Sequence, residues 1–217
     1  MIVEYVDHMG CDMAVCDAAR VSMNKSSDLY PYASNVRLLE YLAKHNHWSP
    51  FSHCTLKLRF SAPIFIARQL AKHQVGFAWN EVSRRYVSSD PTFWEPECFR
   101  PSAENVKQGS AKGKHPGSDQ FVDRFKEIHM AAEMLYSEMI AKGVCPEQAR
   151  AVLPQSMMTE WIWTGSLYAW SRMYNLRIDA HAQAEVQEYA REVGLICAKY
   201  FPLSWSALVK SQPEFIA

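Results

Sequence analysis

The hydrophobic period changes along this chain, and that change constrains the fold more than any other feature. Up to about residue 102 the pattern is mixed; beyond residue 118 it follows the 3.6-residue period of helices almost throughout. From Cys54 to Phe60 the residues alternate, with Leu56, Leu58 and Phe60 on one face and Thr55, Lys57 and Arg59 on the other. That is the signature of a half-buried strand. Met1 to Asp7 alternates in the same way. Between these strands, Ser34 can cap a helix whose apolar face is Val36, Leu39, Leu42 and Ala43. Pro63 suits the first turn of a short helix running through Ile64 to Lys72. Val75 to Trp79 reads as a break, and Glu81 to Ser88 as a loop returning to strand.

In the second half, Asp119 to Lys142 predicts one long helix with Phe121, Phe125, Ile128, Ala132, Leu135 and Met139 inward and Gly143 as its stop. A short helix should begin near Pro146, and Met157 to Thr164 fits either a strand or a buried helix. Ser166 to Leu176 and His181 to Tyr200 read as helices, with Pro202 closing the last. Strands followed by helices predict an α+β fold, with residues 1–217 in a single domain.

Composition narrows the functional classes. A chain of 217 residues with 48% apolar and 21% charged side chains can bury a core and is not disordered. Its 23 basic and 23 acidic residues cancel, which argues against nucleic-acid binding by bulk electrostatics. No apolar run approaches the roughly 18–20 residues of a membrane span. The N-terminal residues lack the basic and apolar regions of a signal peptide. Cys11, Cys16, Cys54, Cys98, Cys145 and Cys197 are scattered without a CxxC pair, as expected of free thiols in a reducing cytoplasm. Residues 102–118, rich in Gly, Lys and Ser, are expected to form a mobile surface loop. Gly109 to Lys114 lacks the glycine spacing and following hydroxyl of a Walker phosphate loop.

Polar groups concentrate in three segments. Lys44 to His53 holds His45, His47 and His53 in a short span. They could cap or pack, face a bound heterocycle, or ligate a metal, although no Cys, Asp or Glu cluster stands at ligand spacing elsewhere. His45-Asn46-His47 also matches, on three letters only, a nuclease motif. The second segment, Arg68 to Tyr86, gathers Arg68, Gln69, Lys72, His73, Gln74, Asn80, Glu81, Ser83, Arg84 and Arg85. Guanidinium forks match planar oxyanions, so such a set can hold a phosphate and an anionic ring; a solvated face with salt bridges is the plainer reading. The third, Asn175 to Glu185, offers Arg177 either as a partner for Asp179 or as a cation directed into a pocket.

Together these segments resemble the flavin-dependent thymidylate synthases. The family signature runs from Arg-Gln to an Arg-His-Arg triplet, then seven residues to a Ser, with Asn-Glu before it and Arg-Tyr after. Ala62 to Gln69, Asn80 to Tyr86, His47 to His53, Ala149 to Pro154 and Asn175 to Gln183 match in the family's order. The triplet here is Lys72-His73-Gln74, and eight residues separate it from Ser83. Lysine keeps a charge without the bidentate fork, and Gln74 removes one. Gly76 would let Val75 to Trp79 absorb the extra residue.

The resemblance implies a central, mainly antiparallel sheet packed by helices. It implies reductive methylation of dUMP to dTMP, with FAD as cofactor and NADPH and 5,10-methylenetetrahydrofolate as co-substrates. By similarity, Arg177 is catalytic and also contacts dUMP. Gln69, Leu70, Ala71, Lys72, Glu81, Val82, Ser83, Arg84, Arg85 and Arg150 would complete the dUMP site. Ser49, Lys72, His73, Gln74, Asn80, Glu81, Ser166, Leu167, Tyr168, Arg172 and His181 fall where the family holds FAD. His47 falls near the flavin and folate. No metal, nucleic acid or membrane is implied; a homotetramer with shared active sites in the cytoplasm is. Three rivals are a flavoprotein of this fold without synthase activity, a non-catalytic nucleotide-binding module and a nuclease.

Overall fold

Four strands form one sheet in the order β1-β2-β4-β3: β1 Ile2–Met9, β2 Thr55–Pro63, β3 Phe77–Glu81 and β4 Met158–Ser166. The structure is a computed structural model and describes residues 2–87, 89–104 and 109–210. Register follows from backbone hydrogen bonds. Leu167 N–H donates to Cys54 C=O (2.8 Å) and Ile64 N–H to Met157 C=O (2.9 Å), so β2 and β4 run antiparallel. Ser166 N–H to Gly76 C=O (3.0 Å) and Val82 N–H to Glu160 C=O (2.9 Å) set β3 and β4 the same way. The α+β class is as the period change predicts.

The chain sorts into two compact units. The first comprises residues 1–60, 73–79 and 162–217. Its helices are α1 Asp12–Arg20, α2 Tyr32–Lys44, α6 Leu167–Arg177, α7 Ala184–Tyr200 and α8 Pro202–Leu208. Leu56, Leu58 and Phe60 of β2 are fully buried, the face their alternation predicts, alongside Trp163, Trp170, Tyr174 and Trp205. The rings interlock: Phe60 meets Trp163 edge-on at 5.5 Å and stacks on Trp170 at 6.2 Å. Trp170 Nε1 donates to Leu56 C=O (3.1 Å), giving the buried indole its partner. Gly165 is fixed by the close approach of Phe77, since a Cβ there would lie 2.3 Å from a ring carbon. Asp12, at the first turn of α1, accepts from Leu203 N–H (3.1 Å) and Ser204 N–H (2.8 Å), satisfying two donors that have no partner within the first turn of α8.

The second unit comprises residues 61–72 and 80–161, with α3 Ile64–Leu70, α4 Ser118–Ala141 and α5 Pro146–Ala149. Here the expected inward face of α4 is corrected. Phe121, Ile128 and Leu135 are 44%, 58% and 46% exposed, and the buried side carries Ser118, His129 and Tyr136. The helix is apolar on more than one side, and periodicity cannot say which side is covered. His129 earns its burial: its Nε2 pairs with Ser156 Oγ at 2.7 Å, and its ring lies between Phe93 and Phe125 at 4.5 and 4.3 Å. In the 102–118 segment, Ser102 and Ser110 form a β-bridge, and His115 N–H donates to Phe99 C=O (2.8 Å). The expected loop falls partly on residues 105–108, outside the described residues.

Other expectations shift for local reasons. α2 starts at Tyr32 behind Pro31, so Ser34 lies inside the helix and is not its cap. Residues 77–81 form β3 where a break was expected, and turns follow it. Met157 to Thr164 resolves as strand, within β4. The last long helix begins at Ala184, three residues later than expected. Pro202 does not merely close α7; it occupies the first turn of α8, where its missing N–H costs nothing. Among the described residues, no helix is long and apolar enough to cross a membrane.

Candidate active site

In the first unit, the polar groups gather where the chain turns into β3 and where α6 begins. Gln74 C=O accepts from Phe77 N–H (3.1 Å), closing a tight turn over Val75 and Gly76. Gly76 has φ +83°, and a Cβ there would lie 2.9 Å from Ala169 Cβ and 3.1 Å from Ser166 Oγ. Only glycine fits both the backbone and the space at this position. Ser166 Oγ caps α6 by accepting from Ala169 N–H (3.2 Å).

α6 carries Tyr168, Arg172 and Arg177. Arg177 Nε donates to His73 Nε2 at 2.9 Å. An imidazole that accepts at Nε2 is neutral at that nitrogen. Burial, then the charges of Arg177 and Arg172, push the His73 pKa down to about 4. Burial also lowers the Arg177 pKa. Asp179 turns to His181, accepting from its N–H and pairing with its Nδ1, both at 2.9 Å. Those bonds hold the Asp179 carboxyl below its ordinary range. The pairing of Arg177 with Asp179 is therefore not the one that forms.

Beside the start of α6 lies a cavity of about 250 Å³ bordered by Trp48, Ser52, Val75, Gly76, Tyr168 and Arg172. Tyr168 Oη donates to Asn46 Oδ1 (2.8 Å). Trp48 and Ser52 were not singled out from sequence, although both lie within the histidine-rich segment. His47, Ser49 and His181 are exposed, with the His47 ring 6.0 Å from Tyr41. Leu167 is fully buried and spends its N–H on Cys54 C=O.

The second unit presents a larger cavity of about 540 Å³, lined among others by Glu81, Val82, Arg84, Asp90, Arg150 and Glu160. Glu81 Oε1 accepts from Thr159 Oγ1 (2.8 Å). Arg84 is held by the carbonyls of Ser89 and Asp90 and lies 6.0 Å over the Tyr136 ring. Arg150 Nε donates to Glu147 C=O (3.3 Å). Neither arginine has a carboxylate partner among the described residues, so both guanidinium charges remain for a ligand. Ser83 Oγ accepts from the N–H and Nε of Arg85, each at 3.3 Å, and Arg85 lies over Tyr86 rather than in the cavity lining. Lys72 and Asn80 are exposed, Gln69 and Ala71 half-buried, and Leu70 fully buried. Asp90 and Glu160 were missed from sequence. Period two along β4 puts Glu160 on the face opposite Trp161 and Trp163, which is the signal that could have found it.

All six cysteines are free thiols, and none lines either cavity. Among the described residues, no group of three or more His, Cys, Asp or Glu could hold a metal ion.

An α+β fold with arginines lining one cavity, aromatic rings and a guanidinium bordering another, and a guanidinium–imidazole contact offers the charges and rings that suit anionic heterocycles. The family model for the thymidylate synthase complementing protein matches residues 4–203, and the chain belongs to that family, the flavin-dependent thymidylate synthases. It is 35% identical to the flavin-dependent thymidylate synthase of Thermus thermophilus over 94% of this chain and 74% of that one. It is 33% identical to that of Thermotoga neapolitana over 96% and 90%. Among solved structures, the UMP/dUMP methylase PolB from Streptomyces cacaoi bound with 5-Br dUMP superposes with a TM-score of 0.86 at 29% identity, covering 95% of this chain and 93% of that one.

Proposed function

We propose that the chain methylates dUMP to dTMP, with FAD as cofactor and methylenetetrahydrofolate and NADPH as co-substrates. Family membership over nearly the whole chain carries the dUMP-methylating, flavin-dependent reading. The finer assignments rest on the residues. An aromatic wall of Trp48 and Tyr168, hydroxyls of Ser52 and Ser166, and the guanidinium of Arg172 suit part of a planar, anionic dinucleotide. Bound there, the flavin supplies the redox capacity that protein side chains lack.

The chain's own residues bind, orient and polarise. Arg84 and Arg150 supply two positive charges for the nucleotide phosphate. Arg177 favours negative charge on the N3–O4 edge of uracil, which makes C5 nucleophilic; a guanidinium stays charged at every working pH. No cysteine lines either cavity, in keeping with a reaction that uses no thiol attack on the ring. We further read residues 1–217 as one synthase domain acting as a homotetramer with shared sites in the cytoplasm. The exposed apolar side of α4, with Phe121, Ile128, Met134 and Leu135, supports self-association.

The test is a visible spectrum of the purified protein followed by dTMP assay with dUMP, methylenetetrahydrofolate and NADPH. Flavin absorbance and dUMP-dependent dTMP formation are expected. Absence of flavin binding at high micromolar FAD overturns the reading; bound flavin without dTMP favours a flavoprotein lacking synthase activity. UMP belongs in the same assay, because PolB is also solved with 5-Br UMP.

A further inference from the structure

We infer that His73 is a positioning residue that holds the Arg177 guanidinium through Nε while leaving its positive charge intact. The inference rests on the reading of Arg177 as the group that polarises uracil.

The geometry is specific. Arg177 ends α6, and His73 lies just before the turn that leads into β3, so one hydrogen bond of 2.9 Å spans residues 104 positions apart in sequence. A donated Nε fixes the rotation of the guanidinium plane about its stem, which a freely rotating arginine lacks. The chemistry of the acceptor matters as much. A carboxylate here would also hold Arg177, but its charge would cancel the field that the guanidinium sets up. A neutral imidazole accepts the bond and cancels nothing. Burial, and then the charges of Arg177 and Arg172 on α6, disfavour imidazolium. With Nε2 as the acceptor, the ring proton sits on Nδ1. Glutamine can place its Oε1 near the position of Nε2, so H73Q is the conservative variant, H73A the deletion, and H73E an acceptor that adds the opposing charge.

The experiment begins with the wild-type chain labelled with 15N in histidine and arginine. The expected result is a His73 tautomer with Nε2 bare and Nδ1 protonated, and a slowly exchanging Arg177 Nε–H signal, assigned by its loss in R177K. That signal should persist in H73Q and vanish in H73A. In the dTMP assay, H73A should lower kcat at least tenfold with the KM for dUMP changed less than threefold. H73Q should recover most of that loss, and H73E should recover less than H73Q despite its acceptor. A protonated Nε2 in the wild type overturns the inference. So does an Arg177 signal unchanged in H73A, or H73E equal to H73Q. If H73A does not fold, the wild-type tautomer and the H73Q–H73E pair still decide. Failure of the wild type to make dTMP would reject the functional reading, while the spectra would still report on the contact.

Discussion

The two compact units bury side chains in different ways. In the first, Trp163, Trp170, Trp205, Tyr174, Tyr189, Phe51, Phe60 and Phe201 are fully enclosed; among the largest such side chains described, only Tyr136 comes from the second. The polar groups differ accordingly. Arg177 and His73 are half-buried and meet each other, with both pKa values pushed down by burial. Arg84 and Arg150 line an open cavity and lean on backbone carbonyls. One unit thus fixes a charge by packing, and the other displays charges on short, irregular segments. On the proposed function, precision at a reacting atom and capture of a phosphate make different demands, and each environment suits one of them.

The sharpest way to break this contrast is to delete an aromatic ring from each unit. Trp170→Ala should cost about 3–5 kcal/mol of stability. Phe121→Ala, at a half-exposed ring, should cost about 1 kcal/mol or less. Equal losses in urea titrations would remove the distinction.

Chemistry gives the next largest effect. Arg177→Ala should keep its fold and flavin yet lose about 10²–10³ in dTMP turnover, with Arg177→Lys recovering only part. Near-normal turnover in a flavin-loaded Arg177→Ala would take this residue out of the catalytic step. In the open cavity, Arg84→Ala or Arg150→Ala should raise the KM for dUMP about tenfold, equivalent to about 1.4 kcal/mol, with little change in kcat. Arg85→Ala should do less, since Arg85 lies over Tyr86 outside the lining. A larger effect at Arg85 would reverse the assignment.

Proton linkage separates the units more finely. The folded chain holds His73 at about 4, below the ordinary 6.5 of an unfolded histidine. Between those values the unfolded chain binds more protons, so the His73 contribution is fully present above pH 6.5 and is lost as pH falls toward 4. Melting temperatures of the wild type and H73Q, compared from pH 7 to pH 4.5, should begin to diverge near pH 6.5 and separate progressively below it; parallel curves would show that His73 titrates normally. The smallest effect belongs to the thiols. Burial raises the pKa of Cys16 and Cys197 and pushes Cys54 up to about 11, so alkylation near neutral pH should reach the exposed Cys11 and Cys145, then the half-buried Cys98, and spare the other three. dTMP formation should then stay within several-fold of the untreated enzyme.

What was legible in the sequence follows the same division. Alternation in β2 predicts Leu56, Leu58 and Phe60 as core because a pleat has two faces and one is plainly apolar. α4 was found with each end misplaced by one residue, but its covered side was not, because His129 is buried by partners distant in sequence. α1 went unseen: nine residues with Val15 and Cys16 as its buried apolar pair carry too little pattern, and Cys11 is not a recognisable cap. Candidate site residues were legible as types in motifs. Their partners were not, and the exchange of Asp179 for His73 at Arg177 is the clearest case, since proximity in sequence favoured the wrong neighbour.

The Asp12 carboxylate that caps α8 has a consequence for how the chain is made. It waits for donors 191 and 192 positions downstream. Closing so long a loop is entropically slow. While the ribosome is still translating the middle of the chain, Asp12 has emerged and the segment that completes its unit does not yet exist. The first unit can therefore close this contact only after Leu203 and Ser204 have left the ribosome, which makes the start of α8 a late checkpoint for that unit.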